Sequence, residues 1–203
     1  MFEQLLRSDD PKRGPFIARL FGIFSEEITR VWCSENARYS CLPGKPTVHY
    51  QSNHDGKNKK TWRTLDFALR NNKDRKVYIA EQKCELVFEE GKRLCLRDES
   101  FVERYRGIEA FGCLLDIAKE PNVYEVTVGG RAVTPSGAIL IVASATREGM
   151  EQARRLYGFA DILTIENMLE DMHACSTDGL NKLIDKRKEW CCELFSMLKG
   201  ELE

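Results

Sequence analysis

Apolar positions first recur at helical spacing. Over residues 15–34, Leu20, Val31, Phe24 and Ile17 fall within about 60° of one another at ~100° per residue, and Pro15 is suited to a first helical position. An irregular strand region follows at 37–52 ("TVHYQS"), then a polar, basic loop, "NHDGKNKK". "TWRTLDFAL" (61–69) alternates apolar and polar residues and reads as a strand, and "NNKDRK" reads as a turn. "KVYIAEQKCELVF" (76–88) reads as another strand, with "EEGK" turning at Gly91 into "RLCLRD". The spacing predicts a helix over 99–119 that stops before Pro121. A small hairpin is expected around Gly129-Gly130, a fully buried strand at 137–144 and a helix at 146–158. A short buried strand at 160–165 and an amphipathic helix at 178–200 complete the pattern.

Strand–helix–strand at 137–165 implies a parallel crossover, whereas 37–97 reads as an antiparallel meander. One α/β domain over 1–203, with a mixed central sheet flanked by helices, is the simplest assembly. Its core would span about 15–166, with the C-terminal helix at about 178–200.

One strand breaks its own pattern. Val77, Ile79, Leu86 and Phe88 suit a sheet interior, yet Glu81 and Lys83 interrupt the run two residues apart. Residues i and i+2 share a face, so this carboxylate and ammonium point the same way as Val77 and Ile79. Buried charge is costly unless it has a partner or a use. On the preceding strand Asp66 points away from Leu65, Phe67 and Leu69. If the two strands pair as a hairpin, Asp66 lies beside Glu81 and Lys83. Such a trio suits Mg²⁺, which takes oxygen ligands, keeps several waters and needs only one or two protein carboxylates.

Asp66, a turn, then Glu81-Gln82-Lys83 on an apolar strand resembles the PD-(D/E)xK nuclease superfamily, which has the restriction-endonuclease-like fold. That resemblance implies a core of helix, three-strand meander, helix and strand. It also implies Asp66 and Glu81 as metal ligands, with Mn²⁺ able to replace Mg²⁺, and Lys83 as the residue that positions the nucleophile. Leu65 stands where the proline before the first acid is usual. Acid-x-Lys triplets begin at Asp10, Asp55, Asp74, Glu81 and Glu90, but only the one at Glu81 lies in an apolar strand preceded by another strand with a lone acid. The first helix of the superfamily often contributes a further acid. Glu27 falls inside the apolar arc at about −20° from Leu20, and Glu26 outside it at about −120°. Glu27 is therefore the candidate, its alternative being a carboxylate paired with a buried Arg or Lys. Glu85 shares the Glu81 face and would either extend the site or lie at the sheet edge.

Composition narrows the partner. The 203 residues carry 42 % hydrophobic and 31 % charged side chains at a net charge of −1, so any nucleic-acid surface is local. Residues 57–76 hold eight Lys or Arg against two Asp. Lys57, Lys59, Lys60, Arg63 and Arg70 in this segment, with Arg104 on the helix at 99–119, are the candidate phosphate contacts. A solvated hairpin tip, and an ion pair between Arg104 and Glu27, are the alternatives. Eight cysteines include no C-x-x-C pair, and His49, His54 and His173 complete neither a zinc pattern nor a Cys-His nucleophile signature. No run of apolar residues reaches membrane-spanning length, and the opening "MFEQLLRSDDPKRG" lacks a signal-peptide layout, so the cytoplasm is the expected compartment.

The expected function is a metal-dependent nuclease that hydrolyses phosphodiester bonds, a DNA endonuclease of restriction or repair type. A homodimer would serve double-strand cleavage, through the C-terminal helix or the "VGGRAV" hairpin. Two alternatives remain: a non-catalytic nucleic-acid-binding module on the same fold, and an α/β protein in which Glu81–Lys83 is only a structural pair.

Overall fold

The computed structural model describes residues 12–36, 38–54, 57–84, 88–89, 92–93, 95–175 and 178–201, with backbone alone for 51–54, 57–59, 88–89 and 92–93. A long helix α1 (Arg13–Glu35) leads into β1 (Tyr39–Cys41), β2 (Pro46–His54), β3 (Lys57–Thr64), β4 (Phe67–Asn71) and β5 (Val77–Lys83). The short strands β6 (Phe88–Glu89) and β7 (Lys92–Arg93) pair with each other. Next come α2 (Ser100–Tyr105), α3 (Glu109–Lys119), β8 (Glu125–Val128), β9 (Arg131–Val133), β10 (Ala138–Val142), α4 (Arg147–Tyr157), β11 (Asp161–Thr164), α5 (Ile165–Ala174) and α6 (Gly179–Leu198).

The architecture is mixed α/β. Its main sheet has the order β1-β4-β5-β10-β11, antiparallel from β1 to β5 and parallel from β5 to β11. The expected crossover is present as β10–α4–β11. Side-chain alternation divides the core in two. Ala68, Ile79, Leu140 and Val142 face α2, α3 and α4, whereas Phe67, Ala80, Ile139 and Ile141 face α1 and α5.

A second sheet, β3-β2-β8-β9, carries the Gly129-Gly130 hairpin, with both glycines at positive φ. It corrects two expectations. Within "NHDGKNKK", residues 57–60 are not loop: they pair with 51–54 in a long β2–β3 ladder. Nor is 61–69 one strand. The chain leaves the small sheet at Thr64 and enters the main sheet at Phe67, because β3 pairs with β2 whereas β4 pairs with β1 and β5. Alternation runs unbroken through the crossing, so the break leaves no mark in the sequence. The helix expected at 99–119 is also two helices, broken over 106–108 at Gly107, a weak helix former.

Helix α1 is rotated from the expected orientation. Phe21, Ser25, Ile28, Thr29 and Trp32 are its buried residues, while Phe16 and Ile23 are exposed. Two hydrogen-bonded polar residues sit in the buried face, which pulls the apolar arc away from the true contact. Among the described residues, no helix is long and apolar enough to cross a membrane.

Helix α4 packs closely on the segment after β7. A Cβ on Gly149 would sit 2.8 Å from the Arg97 backbone and nearer still to the Leu96 carbonyl oxygen. Gly149→Ala should therefore destabilise the fold by about 1–3 kcal/mol, the usual range for overpacking, measured by urea unfolding.

Candidate active site

Leu65 and Asp66, at the crossing between the sheets, belong to neither strand ladder. The Leu65 amide donates to the Pro46 carbonyl and the Leu65 side chain is fully buried, which pins the crossing. Register then places Asp66 next to Glu81, because Phe67 faces Ala80. Asp66 Oδ2 accepts a 2.9 Å hydrogen bond from the Gln82 amide and continues the ladder with a side chain. On the other side of β5, Glu81 and Lys83 lie beside Leu140 and Val142 of β10. The structure thus brings Asp66, Glu81 and Lys83 together.

Glu81 is 6 % exposed. Its Oε1 accepts from Lys83 Nζ at 2.7 Å, while Oε2 is buried without a hydrogen-bond partner. Burial first, and then the negative charge of Asp66, push the Glu81 carboxyl up to about 6, against the opposing pull of Lys83. The Lys83 ammonium also lies 5.7 Å from the centre of the Tyr105 ring on α2. Gln82 faces α1, as alternation requires. Its Nε2 donates to Ser25 Oγ at 2.7 Å and its Oε1 accepts from Thr29 Oγ1 at 2.7 Å. Ser25 and Thr29 are fully buried, so this pair clamps α1 to the strand bearing the acid and lysine.

The acid of α1 at this place is Glu26, not Glu27. A cleft of about 170 Å³ is lined by Gly22, Ser25, Glu26, Gln82, Lys83 and Cys84. Lys45, between β1 and β2, lies 3.4 Å from Glu26 and 3.5 Å from Asp66, linking the two acids. Glu27 instead forms a two-pronged ion pair with Arg187 of α6, the paired-carboxylate alternative. It lies in the apolar arc because that arc turns toward α6 and solvent rather than into the sheet. Periodicity could not reveal Glu26 or Lys45: one sits on the polar side of its helix and the other in a loop. Glu85 lies outside the described residues.

The proposed phosphate contacts do not form one patch. Lys60 is exposed on β3 and lines a separate cleft. Arg63 pairs with Glu109 of α3 and lies 6.0 Å from the Tyr50 ring, a structural tie between the small sheet and the helix. Arg70 is half-buried at the far end of β4, opposite Ser40 and Val77. It lies four positions along the chain from Asp66, a backbone distance of about 13 Å. Arg104 is exposed on α2, across the sheet from α1, so the alternative pairing with Glu27 does not form. The backbones of Lys57 and Lys59 lie on β3, opposite His54 and Ser52, and their side chains are outside the described residues.

These residues fit a hard cation. Two carboxylates converge, one with an unsatisfied buried oxygen, which is the donor chemistry Mg²⁺ takes when substrate and water complete its shell. Among the described residues, no group of three or more His, Cys, Asp or Glu side chains gathers to hold a metal. All eight cysteines are free thiols. No family model matches the chain, and no curated protein or solved structure matches it.

The Glu81 shift has a consequence for stability. The folded protein holds the Glu81 proton to about pH 6, above the ordinary 4.5. The folded state therefore binds more protons than the unfolded chain between these values, and stability falls as pH rises through them. The loss is about 2 kcal/mol from a shift of this size. Urea melts in EDTA should show a decline from pH 4.5 to 7 that is smaller in Glu81→Gln.

Proposed function

We propose that this protein is a metal-dependent nuclease that hydrolyses phosphodiester bonds, acting as a DNA endonuclease of restriction or repair type. The observation that carries the reading is the buried Glu81 carboxylate. One oxygen is held by Lys83, and the other is unpartnered beside Asp66. A purely structural acid would have its oxygens answered; this one keeps a buried oxygen without a hydrogen-bond partner in a residue that the register sets next to Asp66. The order of helix, antiparallel meander, helix and strand supports a restriction-endonuclease-like core, since it is the order the resemblance implies.

In this reading Asp66 and Glu81 hold Mg²⁺ or Mn²⁺. Bound there, the ion would neutralise charge on pentavalent phosphorus and lower the pKa of its water. Lys83, fixed by Glu81 and the Tyr105 face, contacts the attacking water or a phosphate oxygen. Gln82 fixes Asp66 through its amide and α1 through its side chain. Glu26 adds negative charge at the cleft, and Lys45 offsets that charge between Glu26 and Asp66.

Cleavage of both strands calls for two such sites, which a homodimer would supply. The exposed Ile184, Trp190, Leu194 and Phe195 of α6 support a self-association face there. A non-catalytic nucleic-acid-binding module is the second reading. Its support is that only two carboxylates and a lysine converge at the centre of the site, without a third ligating side chain among the described residues.

Plasmid and linear DNA incubated with Mg²⁺ or Mn²⁺, beside an EDTA control, test this directly. Cleavage should require the metal, and Lys83→Ala should lower its rate by about 10²-fold or more. Full cleavage by Lys83→Ala, or metal-independent binding without products, would contradict the nuclease reading. Glu26→Gln should impair cleavage more than Glu27→Gln, whose main effect should be on thermal stability.

A further inference from the structure

The small sheet turns one face to the core and the other, with an exposed tryptophan, to solvent. Its inner face carries Val48, Val126 and Val128 into the core. Register aligns Trp62 of β3, His49 of β2 and Glu125 of β8 in one row across the opposite face. Trp62 is 61 % exposed, an unusual placement for the largest side chain. It borders a cleft of about 480 Å³ that Lys60, His49, Tyr50 and Tyr124 also line. The Tyr50 and Tyr124 rings, 5.9 Å apart, belong to the inner side of the sheet and pack against the core. His49 Nε2 lies 3.3 Å from Thr127 Oγ1, which orients the imidazole within the row.

We propose that this face is a platform for the bases of single-stranded nucleic acid, with Trp62 as the stacking residue. Three features favour that ligand. Exposed aromatic rings stack bases without regard to sequence, and a neighbouring cation takes the phosphate. The charges are laid out asymmetrically: Lys60 stands on the edge strand β3, whereas Glu125 stands on β8 at the other end of the row. A polyanion would therefore run its backbone along the β3 edge and turn its bases inward over Trp62 and His49. Strand β3 also continues directly into Leu65 and Asp66. Four steps of extended chain place the Trp62 backbone at most about 14 Å from that of Asp66. At 3.4 Å per stacked nucleotide, that is about four nucleotides.

The platform extends the nuclease reading, since it would seat the strand that Asp66 and Glu81 act on, but it can be tested without cleavage. Binding of a fluorescein-labelled single-stranded DNA dodecamer and its RNA counterpart would be followed by anisotropy in EDTA. A blunt DNA duplex serves as the comparison. Wild type should bind a single strand more tightly than the duplex. Trp62→Ala should weaken that binding by about ten-fold or more, while Trp62→Phe should retain most of it. Circular dichroism should show Trp62→Ala folded, because the side chain it removes lies mostly in solvent. Unchanged affinity in Trp62→Ala, tighter binding to duplex, or no binding by wild type would each overturn the platform. Loss of binding in Trp62→Ala alongside no metal-dependent cleavage by wild type would sink the nuclease reading and leave the platform standing. Cleavage abolished by Lys83→Ala with Trp62-independent binding would do the reverse.

Discussion

The arrangement depends on keeping an ion pair inside a sheet. Glu81 and Lys83 lie on the face of β5 that otherwise carries Ile79 into an apolar core. Taking two charges out of water costs several kcal/mol per ion, and one contact at 2.7 Å rarely recovers it all. The surrounding structure is organised around holding the strand end in place despite that cost. Gln82 is locked to α1 by two side-chain hydrogen bonds, and Asp66 takes the amide that would otherwise lack a strand partner. Parallel pairing with β10 fixes the opposite edge of β5.

A second buried acid shows that the fold can satisfy a carboxylate completely. Asp161, at the start of β11, is 3 % exposed. It accepts from Arg38, Arg154, the Tyr39 hydroxyl and the Ile162 amide, so both oxygens are answered from several directions. Glu81 is about as deeply buried, its one side-chain partner is Lys83, and Oε2 is left without a hydrogen bond. The contrast sets a carboxylate answered on every side against one whose second oxygen has no hydrogen-bond partner. Unsatisfied buried polar atoms are uncommon in native proteins, and functional sites are among the places where they persist.

Much of the fold was legible because two periodicities carried it. The crossover at 137–165, the Gly129-Gly130 hairpin and the final helix follow from apolar runs bounded by glycine, and α1 was placed to within a few residues. The placement of Glu81 and Lys83 on one face followed from the period of two. What stayed hidden depended on which strand pairs with which. The switch of sheets at Leu65–Asp66 interrupts no alternation, and the break near Gly107 interrupts no helical spacing. Glu26 is hidden in the sequence because the buried face of α1 includes Ser25 and Thr29, polar residues that hydrogen-bond Gln82, which lies 53 positions beyond Thr29. Arg70 and Arg63 belong to one basic stretch of sequence, yet the fold sends one to the far end of β4 and the other to Glu109.

Titration of the metal-free protein with Mn²⁺ by isothermal calorimetry, comparing wild type with Glu81→Gln, tests the central claim that the open oxygen of Glu81 and the carboxylate of Asp66 form a cation site. Wild type should bind Mn²⁺ saturably, with a rise in unfolding temperature. Both effects should be largely lost in Glu81→Gln, although the folded variant keeps its α1 clamp. Equal Mn²⁺ binding by the two proteins, or none by wild type, would contradict the claim and leave Glu81–Lys83 as a structural ion pair.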